Sequence, residues 1–280
     1  GLGTLSRIAV TQSETSNGPR FVVTPSTTLL SRLPTPAVLR AGTQHLSKGD
    51  GIDRELFVEV LLAAGYTRVS AVYEEGTFAV RGSLVDLFSP GMTHPVRVDF
   101  FGDEIEAISK FVPDTQMTTA RVDQTVFYPA TEVVDCSQVL SRSRNALLDL
   151  ADEQDLPSTR LSEIMDSLRN GDLPVGAHAF MPLLLGETSS ITDFFDPDQW
   201  LLLFDDLAAV EGSLEAQRQS DFRRYEAYRG MQRLALPPQE LFVPTESLDF
   251  ARFTRVNVGL LDPGANLQFE IDLPPALKPV

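Results

Sequence analysis

The sequence predicts an α/β chain with an inserted α+β domain, in which a small antiparallel sheet packs on one helix. Three observations carry that expectation. Residues 69–111 hold five short, alternating apolar and polar runs separated by closely spaced turn residues, the pattern of an antiparallel meander. A single well-signalled helix stands immediately before them. The stretches on either side read differently, as longer helices and apolar runs of α/β type. At 280 residues the chain is long enough for two domains, or for one domain carrying another. The boundaries expected are 1–42 and 130–280 for the two parts of the α/β domain, and 43–129 for the unit between them.

The first part opens with an apolar strand, Phe21-Val22-Val23-Thr24, followed by a short helix through Leu29 and Leu30. Pro34 and Pro36 are expected to end it, because proline removes a backbone donor and crowds the preceding turn.

The middle unit starts with the helix. Asp53 is an N-cap in front of Leu56-Phe57-Val58-Glu59-Val60-Leu61-Leu62, and Gly65 stands where a left-handed C-cap belongs. Strands are expected over Val69 to Tyr73, Thr77 to Arg81, Leu84 to Phe88, Val96 to Phe101 and Ile105 to Phe111. Their breaks are Glu75-Gly76, Gly82, Ser89-Pro90-Gly91 and Gly102-Asp103, all turn-forming residues.

In the last part, Asn145 to Leu150 and Ser158 to Leu168 read as helices. Trp200-Leu201-Leu202-Leu203-Phe204 reads as a buried-type strand, followed by Asp205-Asp206 and a long polar helix to about Arg229. The acidic pair looks superficially like the metal-binding end of a motor strand. A hydrophobic strand ending in Asp before a helix is common cap geometry, and that reading is preferred.

Composition narrows the function. Lys and Arg total 23 against 39 Asp and Glu, a formal charge of −16. Broad nucleic-acid binding rests on many phosphate contacts from basic side chains, which this balance opposes. One cysteine, Cys136, allows no intramolecular disulfide and points to a reducing, cytoplasmic setting. The beginning of the sequence shows no signal-like apolar stretch, and without an initial Met it is expected to be an excised or processed chain. No lysine among Lys48, Lys110 and Lys278 follows the glycine spacing of a phosphate-binding loop, and His45, His94 and His178 are scattered. No catalytic residue, cofactor or metal site is therefore expected.

The informative surface follows from strand parity. Side chains alternate between the faces of a strand. Val96, Val98 and Phe100 then share the core face with Phe78 and Val80, while Arg97, Asp99 and Phe101 share the other with Thr77, Ala79 and Arg81. Two arginines beside an outward phenylalanine have the composition of an interaction hot spot. The structural alternative is that Arg97 or Arg81 pairs with Asp99 or Asp86 across strands, and that Phe101 is covered by a neighbouring segment.

The same residues resemble a known family. Gly76-Thr77-Phe78-Ala79-Val80-Arg81-Gly82-Ser83-Leu84-Val85-Asp86-Leu87-Phe88 is similar to a G-x-F-x-V-R-G run of UvrB and the bacterial transcription-repair coupling factors. Pro95 to Glu106, centred on Arg97-Val98-Asp99-Phe100-Phe101-Gly102-Asp103-Glu104, resembles their second signature, and Gly65-Tyr66-Thr67-Arg68 precedes both at the matching distance. Val22-Val23-Thr24-Pro25, Leu29 to Pro34, and Gly176 to Leu184 extend the likeness towards the coupling factors.

That resemblance implies a degenerate helicase-like α/β domain carrying a UvrA-binding domain. It implies UvrA contacts at Arg81, Arg97 and Phe101, with Asp99 and Arg68 as further contacts, and a role in recruiting UvrA to stalled transcription complexes for nucleotide excision repair. RNA polymerase, DNA and an ATP-driven motor would belong to other domains of the parent protein, one of which masks this surface. Two positions depart from the pattern: Ala79 stands where UvrB has a basic residue, and His178 where the family has an acidic one. The alternative reading is a nucleic-acid-contacting module of a UvrB-like repair helicase.

Overall fold

A computed structural model describes residues 2–11, 21–133, 136–248 and 250–258. It shows a mixed α/β chain with one six-stranded sheet and three two-stranded ones among those residues. In chain order the first elements are α1 (Leu2–Thr11), β1 (Leu33–Pro34), α2 (Pro36–Gly42) and β2 (Gln44–Ser47). The expected strand at Phe21–Thr24 does not form. Phe21 is 85% and Val23 96% exposed, and although Val22 packs on a core, no strand among the described residues pairs with the run. A 3-10 turn does pass through Leu29 and Leu30, but the two prolines act differently from expectation. Pro34 lies within β1, and Pro36 starts α2 at its first turn, where the missing N–H costs nothing; Thr35 caps it by accepting from the Val38 N–H.

Next come α3 (Arg54–Ala63), β3 (Thr67–Arg68), β4 (Thr77–Arg81), β5 (Leu84–Phe88), β6 (Val96–Phe101), β7 (Glu104–Phe111), β8 (Thr118–Val122) and β9 (Gln124–Phe127). The predicted helix is present with its predicted cap: the Asp53 carboxylate accepts from the Leu56 N–H at 2.9 Å, a contact of about 1 kcal/mol. Gly65 follows at φ +83°. Phe57 and Leu61 face the sheet and are fully buried against Phe78, Val85, Leu87, Val98, Phe100 and Ile105. Each such side chain contributes roughly 1.5–3 kcal/mol, so this cluster sets the position of the helix on the sheet.

The sheet runs β3-β4-β5-β6-β7-β8, antiparallel except for β3 beside β4. The expected strand at Val69–Tyr73 is a correction. Pairing stops after Arg68, and the following residues turn across the outer face, where Val72 is buried against Ala79 and Phe111. Separately, β2 pairs with β9, Gln44 opposite Phe127, so the chain enters and leaves this unit side by side. Tyr66 fastens the exit: its hydroxyl donates to the Tyr128 carbonyl at 2.8 Å, and burial pushes its phenol well above the usual range.

The remaining elements are α4 (Cys136–Glu153), α5 (Ser158–Arg169), α6 (Met181–Leu185), β10 (Thr188–Ser189), β11 (Leu201–Asp205), α7 (Leu207–Gly230), α8 (Pro238–Leu241) and β12 (Thr254–Val258). All three expected helices are here, as α4, α5 and α7, the first far longer than Asn145–Leu150. The Cys136 side chain lies outside the described residues. Leu147, Leu168, Phe180, Leu184 and Leu236 form the core of this helical part. The strand β11 pairs in parallel with β12, yet it is not buried on both faces: Leu201 and Leu203 are 49% and 61% exposed. Asp206 caps α7, accepting from the Ala209 N–H at 3.1 Å.

No helix among the described residues is long and apolar enough to cross a membrane. None of the described His, Cys, Asp and Glu residues gather in a group of three able to hold a metal.

Candidate functional site

Strand register places the candidate residues. Arg81 pairs with Leu84, and Leu84 with Asp99, so Arg81, Leu84 and Asp99 form one row across β4, β5 and β6. The adjacent row is Ala79, Asp86, Arg97 and Ser109. Cross-strand partners share a face, so Arg81, Arg97, Asp99 and Phe101 lie on the side of the sheet away from α3. Burial along β6 alternates accordingly: Val96, Val98 and Phe100 are buried, Arg97 and Asp99 half-buried, and Phe101 exposed. Arg68 is separated from this group. Its register partner is Phe78, whose ring packs under α3, so Arg68 occupies the helix side of the edge strand.

The face divides into a covered and an open half. Over the covered half lie residues 69–73 and the loop 112–117. Gln116, at φ +59°, donates through Nε2 to the carbonyls of Val72 and Pro113 at 3.0 and 2.7 Å and ties the two segments together. Ala79 is 1% exposed beneath them, so a basic side chain at that position would have to displace the cover. The outer face is therefore only half open. The physical cause is the turn of the chain after Arg68, which strand parity does not encode.

Arg97 sits at the border of the two halves. Its Nε and Nη2 donate to the two oxygens of Asp86 at 2.7 and 2.8 Å, a bidentate pair with a carboxylate that is 1% exposed. The guanidinium lies 4.9 Å from the centre of the Phe111 ring, and Nη1 is 3.5 Å from the Gln116 carbonyl. Hydrogen bonding to Asp86 pushes the Arg97 pKa further up. The arginine is thereby fixed in charge and direction by its own sheet.

The open half contains Arg81, Leu84, Asp99 and Phe101. Arg81 is exposed and makes one backbone contact, Nη2 to the Ser70 carbonyl at 3.1 Å. Asp99 accepts from the Ser83 hydroxyl at 2.9 Å. Phe101 is 79% exposed at the end of β6. Two tight hairpins hold these residues. Arg81 and Leu84 flank Gly82-Ser83, and Phe101 and Glu104 flank Gly102-Asp103, with both glycines at φ +62°. Positive φ at the first loop position is the demand of a type II′ hairpin, which glycine meets without strain. Arg54, in the first turn of α3, donates to the Gly82 carbonyl and pairs with Glu55, bracing the first hairpin from behind.

The arrangement thus presents an apolar ring and an exposed guanidinium, bonded to the Ser70 carbonyl, at one end of the sheet. Leu84 was not singled out from the sequence, although its alternation with Asp86 contains the signal. Met117, 68% exposed next to the Gln116 tie, was not legible because its place depends on the path of the covering loop. His178 is outside this face; its Nε2 is 2.8 Å from the Tyr228 hydroxyl.

Comparison with known proteins identifies the same stretch. The family model of the UvrB interaction domain matches residues 45–133. The transcription-repair-coupling factor of Myxococcus xanthus is 32% identical over 217 residues, which is 76% of this chain and 18% of that protein. The transcription-repair-coupling factor of Escherichia coli (strain K12) is 30% identical over 229 residues, 81% of this chain and 19% of that protein. The UvrABC system protein B of Lactobacillus johnsonii is 27% identical over 225 residues, covering 72% of this chain and 33% of that protein. The chain therefore spans under a fifth of the coupling factors it matches. Residues 45–133 thus match the UvrB interaction domain, and the chain is similar to the transcription-repair-coupling factors and to UvrB.

Proposed function

We propose that this chain is a docking module for UvrA, acting within a longer transcription-repair coupling factor to recruit UvrA to stalled transcription complexes for nucleotide excision repair. The observation that carries the reading is the pairing of an exposed Phe101 with an exposed Arg81, held only by its bond to the Ser70 carbonyl, on the open half of the UvrB interaction domain. An aromatic anchor next to a forked cation suits a partner surface bearing an apolar pocket and a carboxylate. Arg97 and Asp99 contribute to the same face, Arg97 in an orientation set by Asp86. Arg68 is assigned a peripheral contact at most, since it lies beyond the edge on the helix side.

The antiparallel pairing of β2 with β9 supports a domain inserted at residues 43–129, between an α/β part at 1–42 and its continuation at 130–280. The flanking parts are read as a degenerate helicase-like scaffold. We assign no catalytic residue or cofactor to this chain; the motor, and the contacts to RNA polymerase and DNA, are assigned to other domains of the parent protein.

Binding to UvrA and to a DNA duplex, each measured across a range of salt, tests the reading. Recruitment through Phe101 and one or two ion pairs predicts UvrA binding that weakens only mildly with salt. A phosphate-binding surface instead loses roughly one decade of affinity per decade of salt for each phosphate neutralised. Tight, steeply salt-dependent duplex binding without UvrA binding would replace the docking module with the nucleic-acid-contacting one.

A further inference from the structure

Arg97 has little of its guanidinium left for a partner. Its Nε and Nη2 donate to the buried Asp86 carboxylate, and the Phe111 ring lies 4.9 Å away over one side. The side chain as a whole is 19% exposed. Nη1 is the nitrogen not used by Asp86, and it lies 3.5 Å from the Gln116 carbonyl, the oxygen of the peptide bond joining Gln116 to Met117. A partner carboxylate that meets Nη1 at hydrogen-bond distance therefore arrives beside Met117.

Met117 is 68% exposed there. A single exposed apolar side chain needs no explanation, but this one is held in a set position next to a candidate contact. The Met117 N–H donates to the Thr115 hydroxyl at 3.4 Å, and its carbonyl accepts from the Val112 N–H at 3.0 Å. Gln116, at φ +59°, ties the residue before it to the Val72 carbonyl. The backbone is thus ordered before a partner comes, and an interface built on it loses less conformational entropy. Phe101 stands on the open side of Arg97, four residues along β6, about 13 Å at the usual rise of ~3.3 Å per residue. Met117 stands on the covered side. A fixed guanidinium is bracketed by an exposed ring and an exposed thioether, three residue types enriched at protein interfaces.

We propose that Met117 is a second apolar anchor for UvrA, packing beside the carboxylate that engages Arg97 and keeping water from that ion pair. It rests on the docking role of the outer face, and it extends the footprint past Arg97 onto the loop 112–117. The flexible, polarizable methionine side chain suits an apolar surface of irregular shape.

Oxidation of the wild-type chain by dilute hydrogen peroxide, followed by mass spectrometry, tests this without a substitution. Met117 and Met231 are both exposed, and Met231 lies just after α7, outside the UvrB interaction domain. Saturating UvrA should slow sulfoxide formation at Met117 and leave Met231 unchanged. Met117→Ala should melt like the wild type and weaken UvrA binding by about fivefold or more. Met117→Glu, whose carboxylate competes for Arg97 Nη1, should weaken it further. Val175→Glu, the same charge at a position 95% exposed and outside the domain, should not. Suppose UvrA binds and Phe101→Ala weakens it, but Met117 is protected no more than Met231 or both Met117 variants bind like the wild type. The footprint then stops at Arg97, and the Met117 anchor falls while the docking role stands. If the wild-type chain does not bind UvrA, or if Phe101→Ala and both Met117 variants all bind like the wild type, the two fall together.

Discussion

Asp86 and Arg97, neighbours across β5 and β6, are joined by two hydrogen bonds of 2.7 and 2.8 Å with the carboxylate buried under the covered half of the sheet. The pair makes Arg97 a structural element as well as a candidate contact. Removing one partner of a buried pair strands the other charge, which typically costs about 3–5 kcal/mol. Arg97→Ala should therefore lower stability by that order in urea unfolding. The Asp86→Ala/Arg97→Ala double variant should be less destabilised than the sum of the two single changes. Additive losses would mean that the pair is not coupled in solution.

Phe101 is the opposite case. Its ring is 79% exposed, so Phe101→Ala should leave stability within about 0.5 kcal/mol. The same change should weaken UvrA binding by about 2 kcal/mol, roughly thirtyfold, if the ring anchors the interface. Unfolding and binding measured on the same preparation separate the two effects, and equal affinity for both proteins would remove Phe101 from the site.

Gly65 couples α3 to the chain leaving the domain. It adopts φ +83°, and a Cβ there would lie 2.3 Å from Thr131 Cγ2 and 2.7 Å from Thr131 Cβ. Gly65→Ala should cost about 2 kcal/mol or more, read as a fall in Tm, from backbone strain together with overpacking. Adding Thr131→Ser should restore only the part due to Cγ2. A variant as stable as the wild type would show that the close approach is absent in solution.

Asp221 gives a pH dependence of definite sign. Its folded pKa is raised by burial, so the folded state holds its proton to higher pH than the unfolded chain does. The cost of the buried charge is present in full above the raised value and disappears as pH falls through it towards the ordinary carboxylate range. The stability advantage of Asp221→Asn over the wild type should therefore shrink as pH falls through that window. An advantage that grows on acidification would reverse the assignment.

Much of the middle unit was legible because its signals are local. Asp53 three residues before Leu56, Gly65 after the helix, and strict alternation through Arg97, Asp99 and Phe101 specify helix, cap and face without tertiary information. The edge strand β8 was missed: Thr118-Thr119-Ala120-Arg121 is exposed throughout and carries no apolar period. The pairing of β2 with β9 was missed because it joins segments some eighty residues apart. The cover over Ala79 depends on where the chain turns after Arg68 and on the Gln116 tie, which no pattern in either segment announces. Phe21-Val22-Val23-Thr24 shows the converse: an apolar, β-branched run makes a strand only where another strand pairs with it. The length of α4 was underestimated since Ser141-Arg142-Ser143-Arg144 reads as polar, while Val139, Ser143 and Leu147 form a buried stripe at helical spacing.

The most direct test of the docking assignment is calorimetric titration of UvrA with the wild-type chain and with an Arg81→Ala/Phe101→Ala variant. Arg97 is left in place so that the Asp86 pair and the sheet remain intact. Saturable binding by the wild type, and its loss in a variant with an unchanged melting temperature, is the predicted result. Equal binding by the two proteins would move the interface off this face, and no binding by the wild-type chain would contradict the docking function itself.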